Sequence, residues 1–555
     1  MKNPVLKLSP GAIKLKGLLG QALQRSAVNR LMRVNYKQLV DPFRFRNETD
    51  GAWRCEFWGK IVRSAILTNF SLQDAELARC IEETVRDIIS TQTPDGCISS
   101  YPVELQTRRW DIWGRKYVLL GLLRYYDYCS EDPRVKQCCC DLLDHLMTQV
   151  GPGKKSILAC GEHGGLAASS ILGAVVGVYR ISKQQRYLDF AQYIVQQGAS
   201  KKHNIFTAAK NGTPPAELGN GKAYEMTSCF QGLAELHQIA PNPEYVDICK
   251  KYFQAVRDRE IFVTGIAGGK DRVGEFWFDG ASKQTRSDVG GLGETCITTT
   301  WLHYCERILG LDSDISAAEQ AERALYNGIL GAMSPDGSSW THVNPTPLTG
   351  GGWKAPAVDQ IQRCFGTPFG GNDCCLAQGP EGLALTPRLA VIPRKHSVTL
   401  NLFEPLTAEL PDGVRIEITG NYPITPEASV RMTAANPHAL IVRIPSFTQS
   451  VTLNKQAINF TPGKYLTLER TWLPSDELIL KFDFSLKEIP APDQSPYTAL
   501  KRGPLVLAND SRGRNSTWNR HVQETWKGIQ LCDYASAGNE MRPENTLTVW
   551  LPNNR

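Results

Sequence analysis

Two short strings, Glu294-Thr295-Cys296 and Cys374-Cys375, supply three thiols and one carboxylate, a donor set that suits a tetrahedral zinc ion. Glycines and turn formers precede each: Gly290-Gly291-Leu292-Gly293 before the first and Gly370-Gly371-Asn372-Asp373 before the second. Backbone of that kind can bend until adjacent side chains converge on one ion, whereas a helix points consecutive side chains apart. Both strings are therefore expected in irregular loops. A second reading stays open, in which they are two buried clusters of reduced cysteines in a protein that has 16. If they meet, four negative charges surround a dication, and zinc with only protein ligands is ordinarily structural. Zinc also keeps a thiol deprotonated at neutral pH, where a free cysteine titrates at roughly 8.5. One thiolate could then double as a nucleophile.

With these strings, several others carry a resemblance. Val273-Gly-Glu-Phe276, Gly293-Glu-Thr-Cys296 and Asn372-Asp-Cys-Cys375 resemble segments of glycoside hydrolase family 127, the zinc-dependent β-L-arabinofuranosidases and their relatives. So do Trp53 to Ala65, Trp110 to Leu123, His342-Val-Asn-Pro345 and Lys501-Arg-Gly-Pro-Leu-Val506, so the similarity spans most of the chain. It implies Cys374 as nucleophile, Glu275 as acid/base, and Glu294, Cys296, Cys374 and Cys375 as ligands of Zn2+.

The chemistry can be argued beside the resemblance. Retaining hydrolysis of a glycoside needs a nucleophile on one face of the sugar and a proton donor near the leaving oxygen, usually two carboxyl groups about 5 Å apart. Here a thiolate would replace one carboxylate, and a metal on its sulfur would help that sulfur leave in the second step. Glu275 must be protonated first and ionised later, so its surroundings are expected to raise its pKa towards neutrality. Phe276, Trp277 and Phe278 could supply that apolar setting.

These residues must be positioned by a large scaffold. At 555 residues the chain exceeds what one hydrophobic core usually supports, so two or more domains are expected. Apolar content of 42% and a mean hydropathy of −0.29 are ordinary for a globular protein. No uninterrupted apolar run is long enough to span a bilayer. A net charge of +6 over 62 basic and 56 acidic residues is too dilute to argue for a nucleic-acid partner. The basic start, Lys2 to Lys16, lacks the apolar core of a signal peptide. Cys138-Cys139-Cys140 would be hazardous in an oxidising space. The chain as given is thus expected to be cytoplasmic, or periplasmic if a signal peptide has been removed from it. Oligomeric state is not legible.

Apolar residues recur at three- and four-residue spacing over 76–90, 111–128, 134–149, 166–181, 186–197, 223–239, 244–257, 297–309 and 316–333. Many of these helices come in pairs split by short polar turns, such as Ser130 to Pro133 and Ala240 to Pro243. Paired helices that each need a neighbour to cover an apolar face suggest a ring or a solenoid. Long glycine-rich stretches between pairs favour a ring with its loops at one mouth, and the resemblance makes this an (α/α)6 helical toroid over 21–383. After about residue 384 the period drops to two, as in Val414, Ile416, Ile418 and Leu478, Leu480, Phe482. An antiparallel β-sandwich is expected over 384–555, with residues 1–20 as a possible added strand.

An oligosaccharide or glycan, pectic or containing arabinose, is the expected substrate, with an exo mode of attack. Trp58, Trp110, His163, Tyr224, His342 and Arg109 are the candidate sugar contacts. Trp53, Trp113, Trp277 and Trp353 also fall in segments that could line the mouth. Arabinofuranosidases of the family place histidines at several inner-helix starts, and by the resemblance this chain carries Trp110, Tyr117 and Tyr224 in the corresponding places. Arg108, Arg109, Arg115 and Lys116 cluster near the Trp110 helix, and one guanidinium aimed inwards could grip a carboxylate. An acidic deoxy-sugar such as aceric acid is therefore weighed beside β-L-arabinofuranose. Two further readings stand: a toroid lyase or zinc-water hydrolase with Glu275 as base, and a non-catalytic carbohydrate-binding protein with a structural zinc.

Overall fold

The computed structural model describes residues 4–269, 275–286, 292–312, 314–346, 373–510, 521–537 and 547–553. Val273, Gly274, Gly290, Gly291, Trp353 and Gly370 to Asn372, invoked above, lie outside them. Helices dominate from Leu18 to Ala390, and strands from Val391 to Pro552.

The helical part is a closed double ring. Among the described residues, six inner helices each touch the next: Phe57–Leu72, Asp111–Tyr128, Leu172–Ser182, Ala223–Ile239, Thr295–Asp312 and Cys374–Ala384, the last packing back on the first. Outer helices cover them, among them Ala75–Ile89, Pro133–Gln149, Gln185–Gln197, Pro243–Arg259 and Ile315–Arg323. Several outer helices are two-faced in sequence, as a helix with one wet side must be, and the inner ones are buried almost all round. Close approach requires small residues. A Cβ on Gly59 would run into the Tyr117 backbone, so glycine there lets the first two inner helices touch. The stretch His163–Ser182 is long and apolar enough, at a mean hydropathy of 1.4, to cross a bilayer. Serines, glycines and Arg180 interrupt it, and 72% of its apolar 18-residue window is buried as ring core.

Two sheets follow as a sandwich. One runs in the order Ile13–Leu15, Leu406–Glu409, Arg415–Gly420, Glu427–Thr433, Glu477–Phe482, Thr448–Leu453, Gln456–Ala457, every pair antiparallel. The other holds Lys464–Arg470, His438–Ile444, Ser397–Leu400 and Val391–Arg394, and its two middle strands run parallel. Ile416 and Ile418 point into the core while Arg415 faces water. A third sheet, which the alternation did not separate from the sandwich, is built from 486–552.

The third sheet reaches the mouth of the ring through Tyr534, whose hydroxyl donates to the Pro345 carbonyl at 2.9 Å. Pro345 ends the strand Val343–Pro345, which pairs antiparallel with Leu292–Glu294 and so holds Glu294 opposite Val343. Asp533 precedes Tyr534 in the chain. That buried carboxylate accepts from the His521 and Val522 amides (both 3.0 Å), the Ser536 hydroxyl (2.8 Å) and the His521 imidazole (2.9 Å). Burial works against a charged His521, but the hydrogen bond and charge of Asp533 raise its pKa above the ordinary value.

A raised histidine pKa adds stability below the unfolded value of about 6.5, and that part is lost as pH climbs through the folded value. His521→Asn should therefore lower Tm more at about pH 5.5 than at about pH 9, by a few degrees, measured by differential scanning fluorimetry. An equal loss at both pH values would rule out a charged pair.

Candidate active site

The mouth of the toroid is where the inner helices begin. Glu56 immediately precedes Phe57–Leu72, Trp110 precedes Asp111–Tyr128, and Lys222 precedes Ala223–Ile239. Cys296 is in the first turn of Thr295–Asp312, and Cys374 opens Cys374–Ala384. Helix N-termini carry unpaired N–H groups and a partial positive charge, which favour anions. The acidic and thiol side chains of the mouth are thus placed where backbone electrostatics suit them.

The two strings do meet, although 80 positions separate Cys374 from Glu294. Donor atoms of Glu294, Cys296, Cys374 and Cys375 all lie within 4.8 Å of one another. The Cys374 and Cys375 sulfurs are 3.8 Å apart, and Glu294 Oε1 is 3.7 Å from the first and 3.4 Å from the second. For a tetrahedral zinc with bonds of about 2.3 Å to sulfur and 2.0 Å to oxygen, those edges should be about 3.8 Å and 3.5 Å. The expectation of loops is corrected: Cys374 and Cys375 are the first residues of a helix, and Cys296 also is helical. At an N-terminus consecutive side chains splay, yet both sulfurs still reach one point because Asp373, as N-cap, turns the chain there by accepting from the Leu376 amide at 2.6 Å.

Electrostatics show what the cluster lacks. Burial pushes the Glu294 carboxyl and the Cys296 and Cys375 thiols well above their ordinary pKa values. Hydrogen bonds from the Cys296 and Cys375 thiols, with His342 nearby, hold Cys374 well below its own. Burial thus works against charge on three of the four donors, and a bound cation would offset it. Glu294 turns Oε1 towards the sulfurs as the donor that would face a metal, and its Oε2 is buried without a hydrogen-bond partner. The donor set fits a small tetrahedral dication.

The cluster forms one end of a cavity of about 370 Å3 lined by Trp53, Glu56, Lys60, Trp110, Trp113, His163, Lys222, Tyr224, Glu225, Glu275, Glu294, Cys296 and Cys374. Glu275 is delivered by an extended segment: Phe276 bridges Lys222, and the Ala223 amide donates to the Glu275 carbonyl at 3.0 Å. Its side chain is 29% exposed and pairs with the Lys222 ammonium. This corrects the apolar setting expected from the next three residues, since Trp277 and Phe278 are buried in the core behind it. Burial opposes the Lys222 charge, but Glu225 and Glu275 outweigh it and raise its pKa.

Of the expected sugar contacts, Trp110, His163 and Tyr224 line the cavity. The Trp110 and Trp113 rings meet at 5.7 Å, and His163 lies 5.6 Å from Trp110. Tyr224 donates to Gln378 at 2.7 Å. His342 stands beside the cluster, half-exposed, with Nδ1 3.8 Å from the Cys374 sulfur. Two contacts are corrected. Trp58 is fully buried, its indole N–H donating to Thr84 at 2.9 Å. Arg109 lies on the surface, paired with Glu162 at 2.6 Å and Asp50 at 3.6 Å. Arg108 pairs with Asp50 (2.7 Å), Arg115 with Asp111 (2.9 Å), and Lys116 packs behind Trp113.

Sequence reasoning missed the lysines that do reach the cavity, and two carboxylates. Lys60 is 3.1 Å from Glu56, 3.8 Å from the Cys296 sulfur and over the Tyr224 ring at 4.7 Å. Burial, the largest cause, pushes the Glu56 carboxyl up to about 7 in spite of Lys60. For Lys60, a lysine one turn into a helix start rich in apolar residues was the available signal.

Two family models match this chain: the catalytic domain of glycoside hydrolase family 127, a β-L-arabinofuranosidase family, over residues 20–388, and its middle domain over 397–484. A non-reducing end β-L-arabinofuranosidase of Bifidobacterium longum is 22% identical over 516 residues, covering 84% of this chain and 76% of that protein. The solved family 127 β-L-arabinofuranosidase of Geobacillus stearothermophilus superposes with a TM-score of 0.77 at 17% identity, over 97% of this chain and 99% of the other. A second solved family 127 β-arabinofuranosidase gives 0.78 at 17% identity, over 99% and 97%. With the catalytic model spanning the ring and the cavity at its mouth, this chain belongs to glycoside hydrolase family 127.

Proposed function

We propose that this glycoside hydrolase is a retaining, exo-acting enzyme that removes a terminal β-L-arabinofuranose from a glycan, with Cys374 as nucleophile and Glu275 as acid/base. One observation carries the reading: the sulfur with the lowered pKa and the Glu275 carboxyl line the same cavity. Bound by Glu294, Cys296, Cys374 and Cys375, zinc would add to the protein groups that favour the Cys374 thiolate, offset the charge of the other donors and make Cys374 a competent leaving group. The cavity, near the low end of the about 300–1,000 Å3 usual for ligand sites, suits one sugar unit. Trp110, Trp113 and His163 offer it an apolar wall.

In the first step the Cys374 thiolate attacks the anomeric carbon while Glu275 protonates the departing oxygen. Partial exposure lets Glu275 exchange protons with solvent, and Lys222 orients it. In the second step Glu275 takes a proton from water, which attacks the same carbon and releases the Cys374 thiolate. Against an acidic sugar, four carboxylates (Glu56, Glu225, Glu275, Glu294) and two ammonium groups line the cavity, and each lysine lies beside a carboxylate. A family relative that acts on β-L-arabinofuranose ends agrees with an uncharged sugar.

Elemental analysis of the purified protein should find about one zinc per chain, falling several-fold in Cys375→Ala, in line with closed three-sulfur sites. No metal in either protein would reject the centre. Cys374→Ser should lower release of L-arabinose from an aryl β-L-arabinofuranoside at least about 1,000-fold while leaving Tm within a few degrees. Full activity in that variant would exclude a thiolate nucleophile. Faster turnover of an aceric acid glycoside than of the arabinofuranoside would replace the sugar named here.

A further inference from the structure

Among the described residues that line the cavity, two carboxylate oxygens are buried without a hydrogen-bond donor, Glu294 Oε2 and Glu225 Oε2. The metal reading gives Glu294 a role through its other oxygen, Oε1. It leaves Glu225 unexplained, and a buried polar atom without a partner in a native fold calls for one. Glu225 is only 2% exposed, and its other oxygen lies 4.0 Å from the Lys222 ammonium. It stands in the first turn of Ala223–Ile239, the turn whose Ala223 amide holds the Glu275 backbone. Glu275 and the unpartnered acceptor are therefore set by one short piece of chain, in the wall of the same cavity.

Resting on the proposed reading of the site, we propose that Glu225 is a specificity-determining residue that accepts a hydrogen bond from one hydroxyl of the sugar bound against Cys374. A carboxylate accepts and cannot donate, so it selects a hydroxyl and repels an acidic substituent at that position. Charge-assisted acceptance is strong where water is excluded. A site built to bind a hydroxyl also discriminates steeply against an analogue without it, because the protein group is then left unpaired. A purely structural Glu225 would instead balance the charge of Lys222 and the nearby Lys116, and would act on every sugar alike.

The test compares wild type, Glu225→Gln and Glu225→Leu on an aryl β-L-arabinofuranoside and its 2-, 3- and 5-deoxy analogues, with Tm and zinc content as controls for folding. The Leu variant should lose about 10- to 100-fold in kcat/KM on the parent, and the Gln variant less. One deoxy analogue should already be poor for wild type and should lose less than about 3-fold further in either variant, while the other two keep the full loss. Equal losses on all four substrates, or none, would overturn the assignment.

If wild type hydrolyses none of them, the reading of the substrate has failed, and Glu225 is then tested without turnover. Quenching of tryptophan fluorescence by L-arabinose, D-galactose, L-rhamnose and D-galacturonate reports binding beside Trp110 and Trp113. Weaker binding of at least one neutral sugar to both variants, with galacturonate unweakened, would support the acceptor role. Unchanged affinities in both variants would overturn it.

Discussion

Four acidic side chains brought to one point in a buried pocket repel one another, and the rest of the structure is arranged around that repulsion. Each of Glu294, Cys296 and Cys375 is pushed towards its neutral form by burial, as expected where charge is poorly solvated. The fold answers with positive potential from several directions. Cys374, Cys375 and Cys296 sit in first turns of helices, Lys60 approaches Cys296 and His342 approaches Cys374. These contributions favour the thiolate of Cys374. A bound dication would offset the repulsion that remains.

The closed ring is what allows such convergence. Six inner helices open on one mouth, so side chains at their starts face a common space although their sequence positions span more than half of the chain. The helix that begins with Cys374 is anchored along the side facing the ring axis. Gln378 accepts from Tyr224 at 2.7 Å, and Glu381 pairs with Arg63 at 2.8 Å and His303 at 3.0 Å. Residues four and seven positions along lie on the same face as the first. Buried pairs of this kind add little net stability, but removing one partner is costly, so the orientation of this helix is well determined.

Much of this was legible in residue types. The helical periods of 111–128 and 223–239 match the helices Asp111–Tyr128 and Ala223–Ile239, because inner-ring helices combine length with a sustained apolar pattern. The helix Cys374–Ala384 was hidden by the glycines before it and by Pro380 within it, and Asp373 as N-cap was its one local sign. Trp58 and Trp113 look alike in sequence, both beside helix starts. Trp58 points into the packing between helices and Trp113 into the cavity, where its indole N–H donates to Glu56 at 2.5 Å. Arg109 and Lys60 make the same point for charge: the arginine near a recognisable helix start is drawn outward by Asp50 and Glu162, and the lysine in an apolar run is held inward by Glu56.

From the sequence alone came the donor types, the helical and strand periods and the family, since all three depend on local chemistry and spacing. Only the tertiary structure decided which donors meet, that they do so at helix ends, that Lys60, Lys222, Glu56 and Glu225 share their cavity, and that Trp58 and Arg109 do not. Those outcomes depend on how six helices close into a ring, a long-range packing result that brings together side chains no local pattern connects.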